Sequence, residues 1–287
     1  MNEYDIYRLW RGMLSKQLSE RSKNVLSVYE DDRELYSERM NAAMLLSSAE
    51  GKKLLSADIS EAEKIAEICD KAGIGFLTRS SAAYPEMLGR IADPVELLFF
   101  MGDPSVLSMP SCAVIGSRQA DDYSCRLTRK ISRELAERGV TVISGFALGI
   151  DRAAHTGALD ANGQTVAVLG CGLLYDYPKG SVQLRDAIAE RGAVITEYLP
   201  YQRPEPANFP VRNRMTAALA NCVLCTQAGE RSGSMNTANL AFSMGKPVFV
   251  TPPHDILSGS CDGIITLLRD GAVQVYSADD IIRECIV

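Results

Sequence analysis

The sequence predicts an α/β protein: a doubly wound, mostly parallel sheet from about residue 111 onward, preceded by a small helical domain. Three observations carry this. From residue 111, short runs that are apolar throughout alternate with amphipathic stretches, as strands buried on both faces alternate with covering helices. Residues 1–80 instead show apolar positions at helical three-and-four spacing. Five of the apolar runs end in glycine, serine or charged residues, as strand ends do when they face a ligand.

The elements follow in order. "EYDIYRLWRGML", "RELYSERMNAAMLLSSAEGKKLL" and "SEAEKIAEICDKAG" read as helices. Ser60 and Glu63 are spaced as a capping box for the third, and Gly73 as its stop. Residues 81–110, with Pro85, Pro94 and Pro104, read as a connector holding one short helix and a strand. Residues 111–287 then read as one domain. "CAVIG", "VTVISG", "TVAVLG", "AVITEY", "CVLCTQA", "PVFVTP" and "AVQVY" are its strands. Helices are expected at 122–138, 151–161, 180–191, 210–220, 234–244 and 263–270.

Composition narrows the function. The 287 residues are 46% hydrophobic and 23% charged, ordinary for a globular chain. No apolar run reaches the roughly 18 residues of a membrane span, and the N-terminus lacks the pattern of a signal peptide, so a cytoplasmic protein is expected. The net charge of −6 argues against a generic nucleic-acid binder, yet residues 179–246 carry a local excess of three positive charges. The eight cysteines lie mostly in apolar runs and are expected as buried thiols. Cys222 and Cys225 have CxxC spacing, but on a strand they point to opposite faces and cannot share a metal. With only His155 and His254 and no zinc spacing, neither metal nor cofactor is expected.

The strand exits are "GSR" (116–118), "SGFALGID" (144–151), "GCG" (170–172), "TEY" (196–198) and "GERSGSMNTA" (229–238). Glycines there admit a ligand to the main chain, and helix N-termini offer free N–H groups to an anion. Candidate phosphate-binding positions are therefore Gly116, Ser117, Arg118, Ser144, Gly145, Gly170, Gly172, Ser232 and Gly233. A dinucleotide fingerprint fails, because Tyr175 stands at the third glycine and the second strand ends at Ser144 rather than an acid. No GxxxxGK[ST] loop is present.

Asp151, His155 and Glu197 form a conceivable acid–base set. Asp151 is read as a helix cap, His155 as a packed residue, and Glu197 as a partner for an arginine; no catalytic residue is assigned. In "ANFPVRNRM", Pro210 suits a first turn, which places Arg212, Asn213 and Arg214 against the helix dipole. They require an anion or an internal acidic partner, and Phe209 stacks a base or staples the helix.

These motifs, in this order and spacing, resemble the bacterial DNA-processing protein A family, also called DprA or Smf. The resemblance is strong over 111–276 and looser before it. It implies an extended Rossmann-like domain after a SAM-like helical domain, binding of single-stranded DNA, loading of RecA recombinase in natural transformation, and a homodimer. By motif, Arg118 of "GSR", Lys179 after "YP", and Arg212, Asn213 and Arg214 of "RNR" are implied nucleic-acid contacts. Ser181, Gln227 and Pro253 depart from the family's usual asparagine, glutamate and glycine. The chain ends at Val287, so the winged-helix domain of many members is expected to be absent. The competing reading is a nucleotide enzyme such as a nucleoside-monophosphate phosphoribohydrolase; "GERSGSMNT" lacks the "PGGxGT" loop of that class.

Overall fold

A computed structural model of the chain describes residues 3–253 and 255–285; His254 lies outside the described residues. The chain divides into two compact units, Met1–Phe99 and Phe100–Val287.

The first unit opens with six helices: α1 (Glu3–Ser15), α2 (Glu20–Leu26), α3 (Asp32–Ser37), α4 (Arg39–Met44), α5 (Ser48–Ser56) and α6 (Ile59–Ala72). There follow β1 (Gly75–Thr78), α7 (Glu86–Arg90) and β2 (Leu97–Gly102), the last crossing the boundary at 99/100. α1 buries Leu9, Trp10 and Leu14 at spacings that share one helix face. The Trp10 indole N–H donates to the Ala57 carbonyl at 3.0 Å, so its one polar atom is satisfied. α6 stops at Gly73, whose φ of 64° suits glycine. Its N-cap is Asp58, whose carboxylate accepts the Ser60 N–H at 3.1 Å. This corrects the Ser60–Glu63 capping box, since Ser60 already lies inside the helix.

The second unit alternates strand and helix: β3 (Ser111–Gly116), α8 (Asp122–Glu137), β4 (Thr141–Ser144), α9 (Ile150–Asp160), β5 (Thr165–Val168), α10 (Val182–Arg191) and β6 (Ala193–Thr196). It continues through α11 (Asn208–Leu219), β7 (Cys222–Gln227), α12 (Gly233–Ser243), β8 (Val248–Val250), α13 (Asp262–Arg269), β9 (Val273–Gln274) and α14 (Ala278–Cys285). Sheet order through this unit is β6-β5-β4-β3-β7-β8-β9, and each neighbouring pair is parallel. The chain winds outward from β3 to β6, then returns beside β3 with β7 and winds the other way. This is the expected doubly wound, Rossmann-like α/β fold, and its switch point lies between β3 and β7. The pair's register slips at Ile115/Gly116, so Gly116 faces Gln227. β3 to β8 are buried along almost their whole length, which is why their sequences are apolar without alternation.

The six helices expected between 122 and 270 start and end within two residues of the periodicity. The single helix expected over "RELYSERMNAAMLLSSAEGKKLL" is instead three, α3, α4 and α5, and α2 and α14 were not expected. The largest consequence is at α11, which starts at Asn208 rather than Pro210. Arg212, Asn213 and Arg214 therefore fall in its second turn, not its first. Cys222 and Cys225 are both fully buried on β7. Among the described residues no group of three or more His, Cys, Asp or Glu side chains is placed to hold a metal, and no helix is long and apolar enough to cross a membrane.

Candidate nucleic-acid interface

The carboxyl ends of β3, β4 and β5, the loop after β5, and the starts of α11 and α12 surround two adjoining cavities. The first, of about 700 Å³, is walled by Phe146, Leu148, Tyr175, Tyr177 and Phe209, with Lys179 exposed at its edge. The second, of about 620 Å³, is the more polar of the two and includes Ser117, Asn213, Thr216, Ser232, Ser234 and Asn236. Arg118, Gly145, Ala147, Tyr177 and Phe209 line both. The Arg118 guanidinium lies over the Phe209 ring at 5.1 Å from its centroid, and Tyr177 packs on the same ring at 5.4 Å. Arg118 itself is exposed, so its charge is available at the place where the cavities meet.

Below this rim the second unit keeps a buried polar floor. Arg212 is 4% exposed. Its Nη1 donates to the carbonyls of Gly145, at 2.5 Å, and Val168, the residue just after β4 and the last residue of β5. Its Nε donates to Asn213 Oδ1 at 3.2 Å. Asp151 lies beside it, 7% exposed, and accepts the Ala147 N–H at 3.1 Å. Burial pushes the Asp151 carboxyl up and the Arg212 guanidinium down, and each charge opposes the other's shift. The two buried charges compensate one another at the bottom of the polar cavity.

This geometry answers why β4 ends in serine and glycine. Ser144 is fully buried and its hydroxyl donates to the Val114 carbonyl at 2.6 Å, tying β4 to β3. A Cβ on Gly145 would stand 2.7 Å from Arg212 Nη2 and 2.8 Å from Asp151 Oδ2. The glycine is required by the approach of the floor as well as by the cavities above. Asp151 does not cap α9, whose N-cap is Gly149 without a side-chain bond; it holds the loop before the helix.

Arg214 is the second arginine of the motif, and its fate is different again. Its Nη1 and Nη2 donate to Glu197 Oε1 and Oε2 at 2.6 and 2.8 Å, a two-point ion pair between α11 and the exit of β6. Arg214 and Glu197 line neither cavity. The internal acidic partner is thus what answers Arg214. Asn213 bridges α11 to the start of α12 through the Gly233 carbonyl at 3.2 Å.

Of the remaining candidates, Gly116, Ser117, Ser232 and Gly233 line the polar cavity, and Gly170 and Lys179 the apolar one. Gly170 lies against Phe209, whose ring would be 3.0 Å from an added Cβ. Gly172 lines neither; the carbonyls of Leu199 and Pro200 would be 2.2 Å from its Cβ, so close packing explains it. His155 is fully buried, with Nδ1 on Thr165 Oγ1 at 2.7 Å. Thr165 spends its own proton on the Val142 carbonyl, so His155 Nδ1 carries the hydrogen. Burial, aided by the Arg212 charge, drives its pKa down to about 3. His155 and Glu197 are away from the cavities, so Asp151, His155 and Glu197 do not assemble as an acid–base set there.

Gln227 explains its own departure from the resemblance. Its amide donates to Asp121 Oδ2 at 2.7 Å and its carbonyl oxygen accepts the Asp121 N–H at 3.1 Å. Asp121 in turn caps α8 through the Ser124 N–H. A glutamate would set a second carboxylate against Asp121. Ser181, 3% exposed, accepts from Arg152 at 3.3 Å. Nothing in the structure explains Pro253.

The sequence reading missed Phe146, Leu148, Tyr175 and Tyr177, which wall the apolar cavity. For Tyr175 and Tyr177 the signal available was the pair of tyrosines in "GLLYDYP", next to a strand exit; Phe146 and Leu148 lie inside "SGFALGID", whose glycines and serine carry the strand-exit reading.

Residues 75–286 match the family described as DNA recombination-mediator protein A. DNA processing protein DprA of Streptococcus pneumoniae is 39% identical over 201 residues, 70% of this chain and 71% of that protein. Protein Smf of Synechocystis is 36% identical over 211 residues, 72% of this chain and 53% of that longer protein. Among solved structures, the X-ray structure of DprA from Streptococcus pneumoniae superposes with a TM-score of 0.83 at 31% identity, covering 99% of this chain and 98% of that one. DNA processing protein A of Helicobacter pylori, studied for its single-stranded DNA binding mode, gives 0.66 at 32% identity, over 73% and 94%.

Proposed function

The chain belongs to the DNA recombination-mediator protein A family, and from that premise we propose that it binds single-stranded DNA across the two adjoining cavities of the second unit. The observation that carries this reading is their chemistry. An aromatic-walled cavity with a lysine at its edge stands beside a polar one at a helix N-terminus, with one exposed arginine between them. Unpaired bases stack on aromatic rings and their phosphates take N–H donors and cations. A base within a duplex has no free face to offer such a cavity.

In this reading Arg118 and Lys179 meet phosphates, Phe209 and Tyr177 meet a base, and Gly116, Ser117, Gly145, Gly170, Ser232 and Gly233 admit the strand to the main chain. Arg212, Arg214, Ser144 and Gly172 hold the site's shape from below, and Asn213 joins α11 to α12. The likeness to DprA proteins supports protection of incoming strands and loading of RecA, as in natural transformation, with the chain working as a homodimer in the cytoplasm. The phosphoribohydrolase alternative is disfavoured because its best acid, Glu197, is spent on Arg214.

The test is fluorescence anisotropy with one labelled oligonucleotide, single-stranded and as a duplex, and with single strands of different base composition. Binding of the single strand well above the duplex is expected, with different compositions within about tenfold of one another, since phosphates carry no sequence. Equal binding of the duplex would count against the reading.

A further inference from the structure

Thr216 does not behave as a helical threonine ordinarily does. Thr128 and Thr156 donate to the carbonyls of Ser124 and Arg152, one turn back, at 2.7 and 2.8 Å. Thr216, on α11, is 2% exposed, and its Oγ1 has no hydrogen-bond partner among the described residues. A buried hydroxyl left in that state is unfavourable unless something else completes it. Thr216 lines the polar cavity.

The start of α12 borders the same cavity and is likewise incomplete. The helix is 11 residues long, and its N-cap Ser232 makes no side-chain bond to the helix backbone. The hydroxyls of Ser232 and Ser234 instead face each other at 2.8 Å. The Met235 N–H is spent on the Ser232 carbonyl at 3.2 Å, and the Gly233 and Ser234 N–H groups have no side-chain cap at the positive end of the helix dipole. Asn236, one turn in, is exposed and also lines the cavity.

We propose that this polar cavity is a phosphomonoester subsite, which takes the terminal phosphate of a strand whose end base lies in the apolar cavity. The proposal rests on the single-stranded DNA reading above and deepens it. The number of donors favours a terminal phosphate over an internal one. One proton of the Ser232–Ser234 hydroxyl pair, the Gly233 and Ser234 N–H groups, the Asn236 amide and the Arg118 guanidinium border one cavity, with the Thr216 hydroxyl buried in its wall. An internal phosphodiester offers two free oxygens and one negative charge. A phosphomonoester offers three oxygens and a charge of about −1.5 to −2 at neutral pH, so it satisfies more of these donors. A 5′-phosphate, a 3′-phosphate and a free nucleoside monophosphate all supply this chemistry.

The experiment uses the full chain and one short oligonucleotide in three forms: without terminal phosphate, with a 5′-phosphate, and with a 3′-phosphate. Anisotropy gives the affinity of each, and thymidine monophosphate is added as competitor against thymidine. The expected result is about tenfold tighter binding of one phosphorylated form, the scale of one well-made charged hydrogen bond. The monophosphate should compete where the nucleoside does not. Thr216→Val should shrink the ratio between phosphorylated and plain strands, and Thr216→Ser, which keeps the hydroxyl, should restore it. Equal affinity for all three forms overturns the subsite and leaves single-stranded DNA binding standing. Absence of affinity for any strand overturns both. A ratio untouched in a folded Thr216→Val protein overturns the subsite as built here, and if that variant does not fold, the ratio measured on the unaltered chain decides.

Discussion

Arg212 and Arg118 line the same polar cavity, yet one belongs to its floor and the other to its rim. Arg212 comes from inside a helix, is almost wholly buried, and spends its protons on two strand-end carbonyls beside Asp151. Arg118 comes from a loop, is exposed, and rests on the face of Phe209. The difference teaches that a cation in a motif is not by that fact a ligand contact. Burial turns the first into a strut, because removing its partners from water makes the pairing obligatory. Exposure leaves the second free to exchange a ring for a phosphate.

The sharpest way to break this contrast is to delete the strut. Arg212→Ala removes the guanidinium beside the buried Asp151 and leaves two strand-end carbonyls unbonded. A loss of about 3–5 kcal/mol in unfolding free energy is expected, read by urea denaturation. Arg118→Ala, by the same measurement, should stay within about 0.5 kcal/mol of the unaltered chain. Equal stability of the two variants would erase the distinction between floor and rim.

The pair Arg214–Glu197 belongs with the floor, and Glu197→Gln tests that placement. The amide keeps one acceptor but turns an N–H2 toward the guanidinium. A cost of about 1.5–3 kcal/mol is expected, the worth of a hydrogen bond to a charged group. The same protein gives a second readout: no free base should be released from nucleoside monophosphates by the unaltered chain. Base release that Glu197→Gln abolishes, with DNA affinity kept, would restore the hydrolase reading.

The floor should also be intolerant of acid. His155 stays neutral in the folded chain down to about pH 3, while an unfolded histidine titrates near 6.5. Between these values the unfolded state binds the extra proton, so stability falls as pH falls. The slope from this group is about 1.4 kcal/mol per pH unit. Urea melts at pH 6.5, 5.5 and 4.5 should show it, and His155→Gln should flatten the upper part of the profile. A parallel profile in that variant would assign the acid sensitivity to other groups.

Much of the fold was legible because its signals are local. Strands buried on both faces must be apolar throughout, and the helices between them carry their period with them, so α8 to α13 fell within two residues, while α14, which follows the last strand, was not foreseen. The glycines and serines at the strand exits were legible as places of close approach. What approaches them was not. Gly145 admits an arginine 67 residues away, and no local pattern encodes that meeting. The acidic partner of Arg214 lies 17 residues back on another strand exit, and was foreseen only as one of two options. Thr216 sits in "RMTAAL" as any helical threonine would, and only the packed structure reveals that its hydroxyl has no partner among the described residues. The aromatic wall was the least legible, because Tyr175 and Tyr177 come from a loop whose path is set by tertiary contacts.

The smallest expected effect concerns the rim and is the most direct reading of its purpose. If Arg118 and Lys179 each neutralise a phosphate, each releases counterions when the strand binds. The logarithm of affinity then falls with the logarithm of salt, by about 0.7 per neutralised phosphate on a single strand. Arg118→Ala and Lys179→Ala should each flatten that slope by about 0.7, and leave the unfolding free energy unchanged. Both side chains are exposed, so the variants have no buried partner to strand, and the slope reports the phosphate contact alone. Arg118 carries a further consequence, since its guanidinium also covers Phe209. Replacing it with lysine keeps the charge but loses the flat stack on the ring. If the stack on Phe209 persists when the strand binds, Arg118→Lys should keep the salt slope and weaken binding by a few tenths to about 1 kcal/mol, the worth of an exposed cation–ring contact; if the ring is given up for the phosphate, slope and affinity should both be kept. A slope that both alanine variants leave intact would mean that the phosphates are neutralised elsewhere, and the rim would lose its assignment.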